Sequence, residues 1–70
     1  MGVSYQEIIY ARLPTAQIDL LNRLIEGFEH LGIVSTLDRE QGRVIIRCTK
    51  DTREELLLIL NNLPFAIEIE

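Results

Sequence analysis

The longest periodic run of apolar residues predicts an amphipathic helix over Thr15–Leu31. The apolar positions recur every three or four residues: Ile18, Leu21, Leu24, Ile25, Phe28 and Leu31. The polar positions fall on the opposite face: Asp19, Asn22, Arg23, Glu26, Glu29 and His30. Such a helix is not stable alone in water and needs an apolar surface to cover. Because the other apolar segments are short and β-branched, that surface is predicted to be a sheet.

The residues at the two ends of this run predict how the helix begins and ends. Thr15 is the expected N-cap, with its hydroxyl accepting a hydrogen bond from a free backbone N–H of the first turn. Gly32 is the expected residue after the last turn, in the left-handed conformation. Asp19 and Arg23 are spaced for an ion pair on the helix surface. Gly27 is expected inside the helix, where glycine is less favourable than alanine.

Four shorter segments are predicted to be β-strands. They are Tyr5–Leu13, Ile33–Asp38, Arg43–Thr49 and Phe65–Glu70. The first ends at Pro14, which discourages continuation of the strand. The second and third are joined by Arg39-Glu40-Gln41-Gly42, and polar turn residues that end in glycine between two β-rich runs indicate a hairpin.

A second helix is predicted to begin at Asp51-Thr52-Arg53-Glu54, which has the form of a capping box, and to stop at Pro64. Its apolar arc consists of Leu56, Leu57, Ile59, Leu60 and Leu63. Leu58 lies outside that arc among polar residues. It is therefore a candidate contact residue, although single exposed leucines are common on protein surfaces.

The order of elements is βαββαβ, which predicts an α+β, ferredoxin-like domain over residues 1–70. This plan has an antiparallel sheet in the order 4-1-3-2 with both helices on one face. The sheet residues expected to face the helices are Ile9, Ala11, Leu13, Ile33, Leu37, Val44, Ile46, Cys48, Phe65, Ile67 and Ile69. Those expected on the uncovered face are Ile8, Tyr10, Arg12, Val34, Thr36, Asp38, Arg43, Ile45, Arg47, Glu68 and Glu70.

The uncovered face has the composition of an interface. Ile8, Tyr10 and Ile45 are expected at its centre, Arg12 and Arg47 beside them, and acidic residues at its margins. An apolar centre with a charged rim is typical of a binding surface. The alternative is an ordinary solvated face on which arginine stems cover apolar side chains.

Length, charge and cysteine content exclude several classes of protein. A chain of 70 residues forms one small domain that buries about 60% of its unfolded surface, so self-association is an expected source of stability. The net charge of −4 argues against a general nucleic-acid binder. Cys48 is the only cysteine, so no internal disulfide is expected, and one cysteine with one histidine, His30, does not predict a structural zinc site. No other metal or cofactor is expected. No apolar run reaches the length of a membrane span and no targeting signal is recognised, which predicts a cytoplasmic protein.

No residue is predicted to be catalytic. His30 is expected to face solvent at the end of the first helix, and Cys48 is expected to be a buried, unreactive thiol in a central strand. The acidic residues form no convincing pair, and the glycines are scattered rather than gathered in a phosphate-binding loop. An enzymatic role is therefore not favoured.

Three family resemblances bear on function. Arg43–Arg47 occupies the place of the aromatic motif of RNA-recognition domains but carries no aromatic residue, so RNA binding is not favoured. Leu24–Asp38, with its junction His30-Leu31-Gly32-Ile33-Val34, resembles ACT domains, which implies an amino-acid-binding regulatory fold. Leu13-Pro14-Thr15-Ala16 stands where that family usually has an Asp-x-Pro-Gly-type motif. From EIIYARLP to the Glu-Glu-Leu-Leu helix, the chain is similar to a bacterial domain-of-unknown-function family of short stand-alone proteins.

These observations predict a non-enzymatic module that self-associates and binds a partner or a small effector. The expected assembly is a two-fold dimer through the uncovered face. Pairing of the edge strands, the second or the fourth, is the competing geometry. The alternative function is a small enzyme or enzyme subunit that holds an anionic metabolite with Tyr10, Arg12 and Arg47.

Overall fold

A computed structural model of the chain describes residues 6–28 and 31–70. Its elements are β1 (Glu7–Arg12), a 3-10 turn (Thr15–Gln17), α1 (Ile18–Glu26), β2 (Ile33–Asp38), β3 (Arg43–Cys48), α2 (Arg53–Leu60) and β4 (Glu68–Ile69). The strands form one antiparallel sheet in the order β2-β3-β1-β4. This is the predicted order read from the opposite edge, so the α+β, ferredoxin-like prediction is confirmed. The predicted start of the first strand at Tyr5 and the predicted positions of Glu29 and His30 lie outside the described residues.

Both helices pack on the same face of the sheet and share one core with it. The core is built from Ile9, Ala11, Leu13, Ile18, Leu21, Ile25, Leu31, Val44, Ile46, Cys48, Leu56 and Leu60. Phe65, Ile67 and Ile69 are half-buried and pack against this core. The faces predicted for β1, β3 and β4 and the apolar arc of α2 are therefore confirmed, but β4 is limited to Glu68–Ile69, and Phe65 and Ile67 precede it instead of belonging to the strand as predicted.

The first helix is shorter than predicted at both ends. Thr15 opens a 3-10 turn instead of capping the helix, and its hydroxyl donates to the carbonyl of Arg39 at 2.8 Å. The α-helix begins only at Ile18 and ends at Glu26, so Gly27 is its C-cap rather than an interior residue. Phe28 lies beyond this end and is 41% exposed, so its assignment to the buried stripe was wrong.

Two further predictions for this region were wrong because tertiary contacts replace local ones. Gly32 does not have a positive φ. A Cβ atom there would lie 2.7 Å from the carbonyl oxygen of Arg47, so glycine is needed for the close approach of β2 to β3. The Asp19 carboxylate lies 3.7 Å from the guanidinium of Arg39 on the hairpin, rather than pairing along the helix with Arg23.

Strand β2 has the opposite orientation to the predicted one. Val34 lies opposite Ile46 of the core, whereas Ile33 lies opposite Arg47. Directly opposed residues in an antiparallel pair share one face. Val34 is therefore on the helix side and Ile33, 49% exposed, is on the uncovered side. A shift of one residue in the pairing register moves every side chain of a strand to the other face of the sheet. In this edge strand, apolar content alone could not determine which set of side chains faces the helices.

A β-bulge partly offsets this inversion. The register shifts between Thr36, opposite Val44, and Asp38, opposite Arg43. The extra residue is Leu37, which is 50% exposed rather than facing the helices as predicted. Thr36 belongs to the helix side, contrary to prediction, while Asp38 returns to the predicted uncovered side.

The predicted hairpin between β2 and β3 is confirmed. Gly42 has a φ of +69° and its N–H donates to the carbonyl of Arg39 at 3.2 Å. The Asp38 carboxylate accepts from the N–H of Gln41 at 3.2 Å. The carbonyl of Gly42 also accepts from the N–H of Leu13 at 2.9 Å, which ties the turn to the end of β1.

The N-cap of α2 is Thr52 rather than the predicted Asp51, and the hydrogen bonds that fix it come from the preceding turn. Thr49 and Thr52 form the reciprocal arrangement of a capping box, each hydroxyl accepting from the N–H of the other at 3.1 Å. The Thr52 hydroxyl lies 3.1 Å from the carbonyl of Leu31, to which it can donate. The capping box predicted from Asp51 to Glu54 was therefore wrong.

Candidate interaction surface on the open sheet face

The sheet face opposite the helices, here called the open face, is ordered in three rows that run across the strands. From β4 towards β2, the first row is Ile8–Arg47–Ile33, the second is Glu70–Tyr10–Ile45–Ser35, and the third is Glu68–Arg12–Arg43–Asp38. Glu70 belongs to the second row because its N–H donates to the carbonyl of Tyr10 at 2.8 Å. The first two rows are mainly apolar, and the third, here called the charged row, is entirely ionic.

Exposed apolar side chains are concentrated on this face. Ile8 and Tyr10 are each 43% exposed, whereas Ile45 between its neighbours is only 6% exposed. Strand alternation along β2 puts Leu37 on the same side as Ile33. Thus four of the seven large apolar side chains that are exposed in the described residues belong to the open face.

The arginines of the charged row already contact a carboxylate of the same chain. One oxygen of Glu70 lies 3.2 Å from the Arg43 guanidinium, and the other lies 4.0 Å from Nε of Arg12. Arg43 also lies opposite Asp38. Its Nε is buried and has no hydrogen-bond partner among the described residues. Glu70 therefore neutralises part of the positive charge that Arg12 and Arg43 bring to adjacent strands.

The structure brings together five of the six predicted site residues and separates the sixth. Ile8, Tyr10, Arg12, Ile45 and Arg47 all lie on the open face. Arg47 donates to the Ser35 hydroxyl at 3.3 Å, which fixes its side chain along the first two rows.

Leu58 is 65% exposed, as predicted, but it lies on α2 in the other layer of the fold. There it borders a shallow hollow of about 320 Å³ that Glu54, Leu57 and Asn61 also line. It cannot belong to the same patch as the open-face residues.

Sequence reasoning missed two residues of the open face, Ile33 and Leu37. Their spacing resembles that of the buried residues on the central strands. The sequence signal for the observed orientation of β2 was Val34. This apolar residue lies on the alternate face of an edge strand and packs against the core in place of Ile33. The bulge left no recognisable mark in the sequence.

Cys48 is fully buried, as predicted. Burial raises the pKa of its thiol; Arg53 lowers this pKa and Glu7 raises it. Glu7 is opposite Cys48 in the sheet and lies 3.6 Å from the Arg53 guanidinium. A thiol that is buried and held protonated is a poor nucleophile, so Cys48 is not a candidate nucleophile.

An open groove of about 580 Å³ lies beside the charged row, between the end of β1, the hairpin turn and the segment before β4. Arg12 and Glu68 contribute opposite charges to its wall, and Thr15 and Gln41 contribute polar groups. Ile67 provides part of its apolar surface. The lining of the groove therefore combines charged, polar and apolar groups.

No helix in 6–28 or 31–70 has the length and apolar content needed to cross a membrane. The chain matches no curated protein and no solved structure. Residues 11–67 match the family described as a domain of unknown function, DUF4911. This match covers most of the chain and confirms the predicted membership in a family of unknown function. The chain therefore belongs to the DUF4911 family.

Proposed function

We propose that this chain is a non-enzymatic, cytoplasmic interaction module that binds a second copy of itself through the open face. The supporting observation is the concentration of exposed apolar side chains on that face around the centre formed by Tyr10 and Ile45. Removing this area from water would add to the stability of a small domain whose own core is limited. A two-fold dimer is the simplest assembly that covers the same patch on both copies.

The charges on the open face favour a protein partner over a small anion. Arg12 and Arg43 contact Glu70, so an anionic metabolite would have to displace a carboxylate of the same chain. Asp38 and Glu68 flank the two arginines and reduce the local positive potential further. The face therefore carries balanced charges beside an apolar centre, as expected of an interface between proteins.

The open-face dimer predicts a large effect of Tyr10→Glu. A carboxylate at the centre would lose its hydration on association, and Arg47, the cation of the first two rows, already donates to the Ser35 hydroxyl. We therefore expect the dimer dissociation constant to rise at least about 100-fold. Sedimentation velocity over a concentration series measures this constant. Since Tyr10 is 43% exposed, the isolated domain should keep its circular dichroism spectrum.

Leu58→Lys is the matched control for this experiment. It also places a charge at an exposed apolar position, but on α2 and outside the open face. The dimer should tolerate it. Loss of the dimer in Leu58→Lys and not in Tyr10→Glu would assign the interface to the helix layer. A wild-type protein that remains monomeric at high micromolar concentration would contradict self-association itself.

The groove beside Arg12 supports a second candidate function, the binding of a small polar effector. A panel of amino acids, nucleotides and acidic metabolites can be tested by thermal denaturation. A true ligand at 100 times its dissociation constant should stabilise the protein by about 2.7 kcal/mol. Gln41→Ala should reduce the shift, because Gln41 lines the groove and is not part of the three rows of the open face. No shift with any member of the panel would leave this candidate without support.

A further inference from the structure

We propose that the two copies pack their open faces at about a right angle, with Glu70 of each copy between Arg12 and Arg43 of the other. This inference rests on the dimer proposed above and specifies its geometry. It follows from the order of charges across the rows and from the shape of the patch.

The patch is nearly square. Four strands spaced by about 4.8 Å span about 14 Å, and three rows spaced by about 6.8 Å also span about 14 Å. A quarter turn therefore lays the outline of one patch over that of the other with little loss of contact. Sheets that pack face to face adopt either nearly aligned or nearly perpendicular strand directions.

Aligned packing brings like charges together in both of its two-fold arrangements. With the axis parallel to the strands, Arg12 faces Arg43 of the second copy, and Glu68 faces Asp38. With the axis across the strands, Arg43 faces Arg47 and the two Glu70 side chains face each other. Like charges opposed at an interface weaken association.

Perpendicular packing about a diagonal of the patch removes these conflicts. When the two-fold axis follows the diagonal from Glu68 to Ile33, the second row of one copy runs parallel to the strands of the other, between β1 and β3. Its Glu70 then falls between Arg12 and Arg43. These are the arginines that Glu70 contacts within its own chain. Each Glu70 would then take the place that Glu70 of the other copy leaves, so that two glutamates and four arginines form one network at the rim.

The same arrangement gives the apolar residues suitable partners. Tyr10 and Ile45 of both copies meet near the axis, and Ile8 of one copy lies beside Ser35 and Leu37 of the other. The two Glu68 side chains fall at a corner where the twist of the sheets separates them. About the other diagonal, two Asp38 side chains would meet at the corner where the sheets approach each other.

Chemical cross-linking between introduced cysteines tests this geometry. Ile8→Cys and Ser35→Cys are made as separate variants, one of them with a mass tag, and are mixed in equal amounts before a short bis-maleimide is added. We expect a cross-linked heterodimer in the mixture and no cross-link with either variant alone. The wild-type protein controls for the native thiol, because Cys48 is fully buried.

The outcomes separate this inference from the proposed function. A cross-link with Ser35→Cys alone would show that the β2 strands of two copies lie side by side or face each other in aligned sheets, and either arrangement would overturn perpendicular packing. So would a dimer that is lost in Tyr10→Glu but shows no cross-link in the mixture. Absence of any dimer in sedimentation would instead reject the proposed function, and this inference with it.

Discussion

Replacing Gly42 by alanine is expected to lower the free energy of unfolding by more than about 3 kcal/mol. Gly42 has a φ of +69°, in the left-handed region that alanine adopts at a cost of about 1–2 kcal/mol. A Cβ atom at this position would also overlap the carbonyl oxygen of Leu13. The turn would have to move away from β1, which would break the hydrogen bond from Leu13 N–H to the Gly42 carbonyl at 2.9 Å. Urea denaturation followed by circular dichroism measures the loss.

Gly27→Ala is the control for this substitution. Gly27 has a φ of −64° at the end of α1, and an added Cβ would be at ordinary contact distance from the carbonyl oxygen of Leu24, 3.4 Å. We expect an unchanged or slightly higher stability, by up to about 1 kcal/mol, because alanine reduces the freedom of the unfolded chain. Equal stabilities of the two variants would contradict the assignment of Gly42 as the residue that joins the hairpin to β1.

Leu56→Ala is expected to lower the free energy of unfolding by about 2–5 kcal/mol. The Leu56 side chain is completely buried between α2 and the sheet, so its truncation removes apolar contacts and leaves a cavity. A domain of this size has only about 3–5 kcal/mol of net stability from its core. A substantial unfolded fraction is therefore expected in water at room temperature. The same urea titration measures it.

Leu58→Ala makes the same chemical change two residues later on the same helix. Leu58 is 65% exposed, so its truncation should change the stability of the monomer by no more than about 0.5 kcal/mol. A large loss at Leu58 would mean that this side chain is covered in solution. The measurement should be made at low protein concentration, so that any contribution from association is small.

The proposed dimer makes stability and assembly interdependent. If the open face is covered on association, the apparent stability of the wild-type protein should rise with protein concentration. This dependence should disappear in Tyr10→Glu, because Tyr10 is at the centre of the proposed contact. The charged row would contribute mainly to the selection of the partner and of the packing angle, since exposed ion pairs add little net stability.

The sequence by itself determined the order of the elements and the faces of three strands. In β1 and β3, one alternate set of residues is almost entirely apolar, whereas the other set includes arginines. The sequence therefore predicted which set faces the helices, and Ile9, Val44 and Ile46 are buried as predicted. The same contrast predicted that Cys48 is buried. In α2, the position of Leu58 outside the apolar arc correctly predicted its exposure. These properties depend on local periodicity, which a sequence displays directly.

The tertiary structure decided what depends on contacts between distant segments. The orientation of β2 is set by its register with β3, and the bulge at Leu37 then changes that register within the strand. The first helix ends at Glu26 although its apolar period continues to Leu31, which is buried beyond the helix. Glu70 meets Arg12 and Arg43 only because β4, β1 and β3 are neighbours in the sheet. Local sequence cannot determine such features, because their energies arise between residues that only the folded chain brings together.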